Sequence, residues 1–202
     1  MISSPSREEY FKKKRYGGEF ATGGKPGEAS GPTSHNLAQD PQLRELVDQW
    51  LKRNYDISEL FSLVEATASG DRMKQHYGVI GLRKILSNGN KLLIFPDKSN
   101  LSLEQGPPIQ SVIDANMVPR LIIFMQDEKE PHLQLEAAWA LTNIASGTTQ
   151  QTQSIIDKGG IPCFIKLLSS NRLEIAEQVS SFFIFSAITN SKGYLGYRKH
   201  RW

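Results

Sequence analysis

The sequence of 202 residues contains a single cysteine, Cys163, and no long apolar run. One thiol excludes an internal disulfide framework and a thiolate cluster for zinc, so we interpret Cys163 as a small hydrophobic residue. The longest apolar runs, 121–125 and 182–185, fall far short of the about 20 residues that span a bilayer. We therefore expect no membrane span, and the polar opening of the sequence predicts no secretory leader.

Patterns typical of catalysis and metal binding are also missing. The four histidines are scattered without metal-ligand spacing, and neither a phosphate-binding Gly-Lys loop nor a G-x-S-x-G nucleophile elbow occurs. We therefore expect a protein that is not an enzyme and has no cofactor and no metal site.

The net charge of +3 is unevenly distributed. Residues 1–31 carry six basic and four acidic side chains, and residues 192–202 carry four basic and no acidic ones. The segment between them holds 14 basic against 17 acidic side chains. Such a body lacks the dense Lys and Arg surface that binds nucleic-acid phosphates directly, and it suits a cationic partner better.

Residues 1–41 are predicted to form a flexible, disordered tail. Six glycines and two prolines between residues 17 and 32 break every helical or strand period. A basic run, Lys12–Arg15, precedes them and is either a solvated charge run or a localisation or partner-binding segment. At the other end, residues 191–202 are predicted to form a basic C-terminal tail.

The intervening region, residues 42–190, has helical periodicity. From Leu43 onward apolar residues recur at steps of three and four, and no sustained alternation of apolar and polar residues occurs. This pattern predicts an all-α region.

An internal repeat defines its organisation. The segment 111–114 (SVID) recurs as 154–157 (SIID), and the pair Val-Pro at 118–119 recurs as Ile-Pro at 161–162, both at an offset of 43 residues. A weaker copy aligns residues 75–87 with 134–146, which leaves an insertion within 88–106. Helical repeats of about 40 to 47 residues are typical of armadillo and HEAT units. We predict a right-handed armadillo-repeat solenoid with two clear repeats and a degenerate third, whose third helices line a concave groove.

Residues 136–148 read EAAWALTNIASGT and are followed by Gln151-Thr152. This segment resembles the groove helix of the second armadillo repeat of the importin-α (karyopherin-α) family, whose members recognise nuclear localisation signals, and the similarity covers roughly residues 57–178. The resemblance implies that Trp139 and Asn143 stand side by side in the groove, and their i, i+4 spacing does place them on one helix face. An indole face can stack on a lysine side chain, and an asparagine amide can bond an extended backbone.

The resemblance implies further groove residues: a turn that receives the anchoring lysine, a contribution from the preceding repeat, and one contact in the following repeat. In that order these are Ala145, Ser146, Gly147, Thr148 and Thr152; Leu86 and Ser87; and Gln178. The carboxylates of Glu136, Asp157, Glu174 and Glu177 would attract cations, although we interpret each as a solvated surface group.

The chain departs from the family after Gln178. Members carry a ladder of Trp and Asn pairs on consecutive repeats, whereas here the next pair falls on Ser181 and Phe185. A two-residue insertion would place it on Phe183 and Ala187 instead. Neither alignment restores the pair, so we expect weaker binding than a full ladder gives.

The N-terminal tail also resembles the family in part. Members begin with a basic helix that binds importin-β and folds over the empty groove. The positions that match its beginning are Arg7, Phe11, Lys12, Lys13, Lys14 and Arg15. The second basic cluster is replaced by the glycine-rich stretch, so the implied importin-β contact rests on these residues alone.

Two functions follow from these observations. The first is a nuclear import adaptor that binds Lys/Arg-rich localisation signals of cargo proteins and moves between cytoplasm and nucleus. The second is a truncated armadillo scaffold or regulatory fragment that binds no signal peptide. A fragment that does not fold stably is a third alternative, because a solenoid usually needs about three repeats. On pattern alone Trp139 is more typical of a core residue, and only the family resemblance favours a binding role.

Overall fold

The computed structural model describes residues 41–87 and 107–189, with side chains as far as residue 183. The helices are α1 (Pro41–Lys52), α2 (Leu60–Ala68), α3 (Arg72–Ser87), α4 (Ile109–Asp114), α5 (Met117–Met125), α6 (Pro131–Ala145), α7 (Thr149–Asp157), α8 (Gly160–Leu168) and α9 (Leu173–Thr189). A short 3-10 turn, Ile57–Glu59, precedes α2. The described part contains no strand, which confirms the all-α prediction. The predicted insertion and almost all of the two predicted tails lie outside the described residues.

The repeat found in the sequence is also a repeat of backbone conformation. Asn116 and Gly159, which are 43 residues apart, both adopt the left-handed conformation, with φ of 56° and 76°. Each of them precedes the second helix of a unit, and each of these helices carries a proline in its first turn, Pro119 and Pro162. A proline is tolerated there because the first turn lacks backbone hydrogen-bond partners in any case.

Three units follow one another along the chain. The first unit comprises α2 and α3, the second α4 to α6, and the third α7 to α9. Helix α6 packs against both α3 and α9, so the last helices of the three units lie side by side. This row is the predicted row of groove helices, and the arrangement confirms the armadillo-repeat solenoid.

One continuous apolar core joins the units. Leu63 on α2, Leu121 on α5 and Phe164 on α8, one from the helix before the last in each unit, are all fully buried in it. Helices α2 and α3 approach each other closely at Gly78, where a Cβ atom would lie 2.7 Å from the carbonyl oxygen of Leu63. A larger residue at this position would push the two helices apart.

Helix α1 lies outside the repeat pattern and covers α3. At the offset of 59 residues, Ile80 and Lys84 of α3 correspond to Trp139 and Asn143 of α6. Ile80 is buried in a separate apolar cluster with three residues of α1, which are Leu43, Val47 and Leu51. The Lys84 ammonium donates a hydrogen bond to the carbonyl oxygen of Leu51. The groove face of the first unit is therefore occupied by the chain's own helix.

Within the described residues, no helix is both long enough and apolar enough to cross a membrane.

Candidate peptide-binding site

The candidate site is built on α6, the helix between α3 and α9. It begins with Pro131 at its first position, and almost all of its residues are buried. Small side chains at Ala137, Ala138 and Ala140 let the neighbouring helices approach. Trp139 and Asn143, four residues apart, occupy one face of this helix, as their spacing predicts.

Trp139 already holds a cation that belongs to this chain. The central guanidinium carbon of Arg83 lies 4.5 Å from the centroid of the indole ring, within the range of a cation–π contact. Arg83 Nε donates a hydrogen bond of 2.7 Å to Glu136 Oε2, and both side chains are buried. Only 5% of Trp139 is exposed. The interpretation of Glu136 as a solvated carboxylate is therefore wrong, since it fixes the cation on the indole.

Asn143 connects the end of α3 to α6. Its amide nitrogen Nδ2 donates to Ser87 Oγ at 2.9 Å and, more weakly, to the carbonyl oxygen of Arg83 at 3.4 Å. Ser87 is exposed, whereas its neighbour Leu86 is buried in the core. The structure thus brings together Asn143 and Ser87, two residues from different units that the family resemblance places in one groove.

The turn after α6 uses part of its polar groups for its own structure. Thr148 caps α7, since its hydroxyl accepts from the backbone N–H of Gln151 at 3.3 Å and its own N–H donates to the Gln151 side chain at 2.9 Å. Thr152 is buried, and its hydroxyl donates to the carbonyl oxygen of Ala145 at 3.0 Å. Capping hydroxyls of this kind satisfy helix termini and hold the turn in one conformation.

The exposed polar groups of this turn are fewer than the family resemblance implies. Ser146 is exposed, and its hydroxyl donates to the carbonyl oxygen of Asn143 at 2.7 Å. Gly147 is half-buried against Gln151, where a Cβ atom would lie 2.1 Å from the side-chain oxygen. Ser146 and Thr148 are thus the solvent-facing hydroxyls that a ligand could reach, while Thr152 acts from below the surface.

The third unit provides no aromatic groove residue among the side chains described. Phe182 is fully buried and stacks on Phe164, with ring centroids 3.8 Å apart and planes 9° from parallel. Phe183 also contacts Phe164, edge to face at 6.4 Å. Ser181 is half-buried and its hydroxyl bonds the carbonyl oxygen of Glu177 at 3.2 Å. Gln178, the last groove residue that the resemblance implies, is fully buried.

A row of buried polar side chains, which the sequence did not reveal, ties α3 to α6. The Nδ1 atoms of His76 and His132 lie 3.4 Å apart, and His76 Nε2 lies 3.4 Å from a Glu130 oxygen. His132 Nε2 lies 3.9 Å from Glu136, the carboxylate that also bonds Arg83. No group of His, Cys, Asp and Glu in the described residues is arranged to hold a metal ion. The row therefore leads to Glu136, the carboxylate that holds Arg83, and only the fold brings its members together.

Comparison with known proteins agrees with this geometry. The model of the family described as armadillo/beta-catenin-like repeat matches residues 107–146 and 148–181. Importin subunit alpha-3 of Arabidopsis thaliana is 36% identical over 177 residues, which is 88% of this chain and 27% of that protein. Importin subunit alpha-2 of the same plant is 53% identical over 78 residues, 39% of this chain and 15% of the relative.

Among solved structures, a designed armadillo repeat protein shares 25% identity with a TM-score of 0.51, covering 63% of this chain and 46% of the designed one. The repeated helical units and these matches define an armadillo-repeat protein. The chain resembles the importin-α family in a partial or divergent form, and it spans about a quarter or less of the length of the two curated relatives.

Proposed function

We propose that this chain is a nuclear import adaptor-like protein whose groove binds a Lys- or Arg-rich segment of a cargo protein in extended form. The observation that carries the proposal is the stacking of the Arg83 guanidinium on Trp139, with Glu136 beside it. In this molecule the indole at the family's peptide-binding position is already paired with a cationic side chain. The importin-α relatives supply the adaptor role and the cellular location in cytoplasm and nucleus.

The Arg83 guanidinium lies over the indole of Trp139, so a peptide that approaches the ring meets Arg83. Arg83 is bound to a buried carboxylate, and removing one member of such a pair from its partner is costly. We therefore expect Arg83 to stay in place as one wall of the site. A lysine or arginine of the peptide then contacts the small exposed part of the indole, which is 5% of Trp139.

Asn143 supplies the contact to the peptide backbone. An asparagine amide offers both a donor and an acceptor, which an extended backbone needs. Its Nδ2 group now bonds Ser87 and the Arg83 carbonyl, so the peptide has to replace at least one of these partners. The exposed hydroxyls of Ser146 and Thr148 receive the next ammonium group along the peptide.

The site is short, and the affinity is correspondingly low. The equivalent face of the first unit is covered by α1, and the equivalent position of the third unit is Ser181. One cation–π contact is worth about 0.5 to 2 kcal/mol, so a single Trp–Asn pair gives weak binding compared with several in series.

The test is a titration of a fluorescent Lys-rich peptide with the purified full chain at two salt concentrations. We expect saturable binding that weakens with salt, since charged contacts are screened. Asn143→Ala and Trp139→Ala should each reduce it, whereas the matched controls Asn171→Ala and Trp50→Ala, which lie away from the groove face of α6, should not. Circular dichroism melts show whether each variant is folded. Equal binding by wild type and both groove variants would contradict the proposal.

The importin-β contact is a separate part of this proposal. The residues that carry it, from Arg7 to Arg15, lie outside the described residues, so it rests on sequence resemblance alone. The test is a pulldown of the chain by immobilised importin-β, with and without replacement of the basic run Lys12–Arg15 by alanines. Loss of the pulldown in the variant would support the contact, and an unchanged pulldown would contradict it.

A second candidate function, an armadillo scaffold without signal-peptide binding, is favoured by the burial of Trp139. An indole that is 5% exposed and packed under Arg83 is typical of a core residue. A cooperative melt together with no peptide binding at any salt concentration would establish this alternative.

A further inference from the structure

The second unit shows how one armadillo unit covers the next. Val118, Ile122 and Met125 lie at i, i+4 and i+7 on α5 and form one buried stripe. Helices α7 and α8 of the third unit pack against α5. A Cβ atom on Gly160, at the start of α8, would lie 3.5 Å from Ile122 Cδ1. Met125 and Pro162 line the same cleft between the units.

The third unit carries the same stripe uncovered. At the offset of 43 residues the counterparts are Ile161, Ile165 and Leu168 on α8, which we call the end stripe. Ile165 is 55% exposed and Leu168 is 41% exposed, against 5% for Ile122 and 0% for Met125. Ile161 is half-buried. The end stripe is therefore the surface on which a further armadillo unit would pack.

The opposite end of the described array is also apolar and exposed. Phe61 on α2 is 74% exposed, and Ile57 in the preceding 3-10 turn is 43% exposed. Two exposed carboxylates accompany this start face: Asp56 beside Ile57, and Glu65 one helical turn after Phe61. A hydrogen bond from the Ser58 backbone lowers the pKa of Asp56, which keeps it charged.

The two ends are both apolar, and they carry opposite charges. Lys158 is exposed at the entrance to α8, next to the end stripe. Its charge is opposite to that of Asp56 and Glu65 at the start face. Unlike ends that meet in this way form a heterologous contact, which repeats from copy to copy.

We propose that the end stripe binds the start face of a second copy of this chain, so that copies associate head to tail. The contact continues the interface that already joins the second and third units. It uses a surface separate from the groove at Trp139, so its failure leaves the peptide-binding proposal untouched.

The experiment is sedimentation velocity on the full chain over a roughly hundredfold range of concentration, because association responds to concentration by mass action. Leu168→Lys blocks the end stripe, and Phe61→Lys blocks the start face. The matched control is Ile123→Lys on α5: Ile123 is exposed like the residues of the end stripe, but its counterpart, Lys166, is exposed too, so it lies outside the inter-unit stripe. Circular dichroism confirms that each variant is folded.

The wild type and Ile123→Lys should form dimers and larger species as concentration rises. Each blocked variant alone should stay monomeric, with the association constant lowered at least about tenfold. A one-to-one mixture of the two blocked variants should form dimers and nothing larger, because it contains one intact end stripe and one intact start face.

Three results would show that these two surfaces do not bind each other. They are a monomeric wild type at every concentration, an effect of Ile123→Lys equal to that of Leu168→Lys, and a mixture of blocked variants that stays monomeric. Dimers formed by Phe61→Lys alone would show instead that two end stripes pair symmetrically, which also contradicts the head-to-tail contact.

Discussion

The groove faces of the first and second units occupy equivalent places in the repeat but have different neighbours. On α3, Ile80 and Lys84 lie beneath α1, with Ile80 in an apolar cluster and Lys84 bonded to a backbone carbonyl. On α6, Trp139 and Asn143 lie beside Arg83 and Ser87. One face has become a packing surface for an extra helix, whereas the other holds a cation next to a carboxylate.

Position in the repeat does not by itself make a binding site. An aliphatic residue such as Ile80 gains most from burial against other apolar side chains, so a helix that covers it is stabilising. An indole gains from a cation on its face, and the pair Arg83–Glu136 provides that cation at a fixed place. The first face therefore packs beneath a helix, whereas the second holds a cation of this chain in a buried ion pair.

The largest effect is expected when Arg83 is removed. Arg83→Met leaves the Glu136 carboxylate buried without its cation, and breaking such a pair typically costs about 3 to 5 kcal/mol. Urea unfolding should show a loss of this size in the free energy of unfolding. The double change Arg83→Met with Glu136→Gln should recover much of it, because the uncompensated charge is gone. A double variant no more stable than Arg83→Met would show that the charge of Glu136 is not the cause.

The second largest effect is expected at the face of α3 that α1 covers. Ile80→Ala opens a cavity between α1 and α3 and should cost about 2 to 5 kcal/mol in the free energy of unfolding. The matched control is Ile123→Ala, an exposed isoleucine on α5, which should change stability by less than about 0.5 kcal/mol. Equal losses in the two variants would mean that α1 does not cover Ile80 in solution.

A smaller effect is expected at Lys84. Lys84→Met keeps the length of the side chain but removes the hydrogen bond to the carbonyl oxygen of Leu51. A buried acceptor left without its donor costs about 1 to 3 kcal/mol, and hydrogen exchange in α1 should accelerate accordingly. Unchanged exchange in α1, with faster exchange elsewhere, would contradict the docking of α1 through this bond.

Much of the fold was predictable because a repeat leaves a regular trace in the sequence. The offset of 43 residues predicted which residues are equivalent, and Asn116 and Gly159 confirm it in their backbone conformation. The i, i+4 spacing likewise predicted that Trp139 and Asn143 share a face. These features depend on local geometry, which the sequence expresses directly.

The remaining features depend on contacts between distant segments. Helix α1 has no counterpart in the repeat, so no offset could place it over Ile80. Arg83 and Glu136 are 53 residues apart, and neither charge carries a local signal that it is buried. The same holds for His76 and His132, which look scattered in the sequence and meet only when α3 packs on α6.

The smallest effect is expected when a second aromatic groove residue is added. In the ungapped alignment Ser181 on α9 stands where the family ladder has its next tryptophan, and it is half-buried. Ser181→Trp should tighten binding of a Lys-rich peptide by roughly twofold to thirtyfold, the equivalent of one cation–π contact of about 0.5 to 2 kcal/mol. The control Ser180→Trp places the same ring at the adjacent exposed position and should leave affinity unchanged. Equal gains from both would mean that the added indole acts as a nonspecific apolar surface. No gain from Ser181→Trp in a folded variant would mean that the peptide does not pass between α6 and α9, and that Trp139 serves the core.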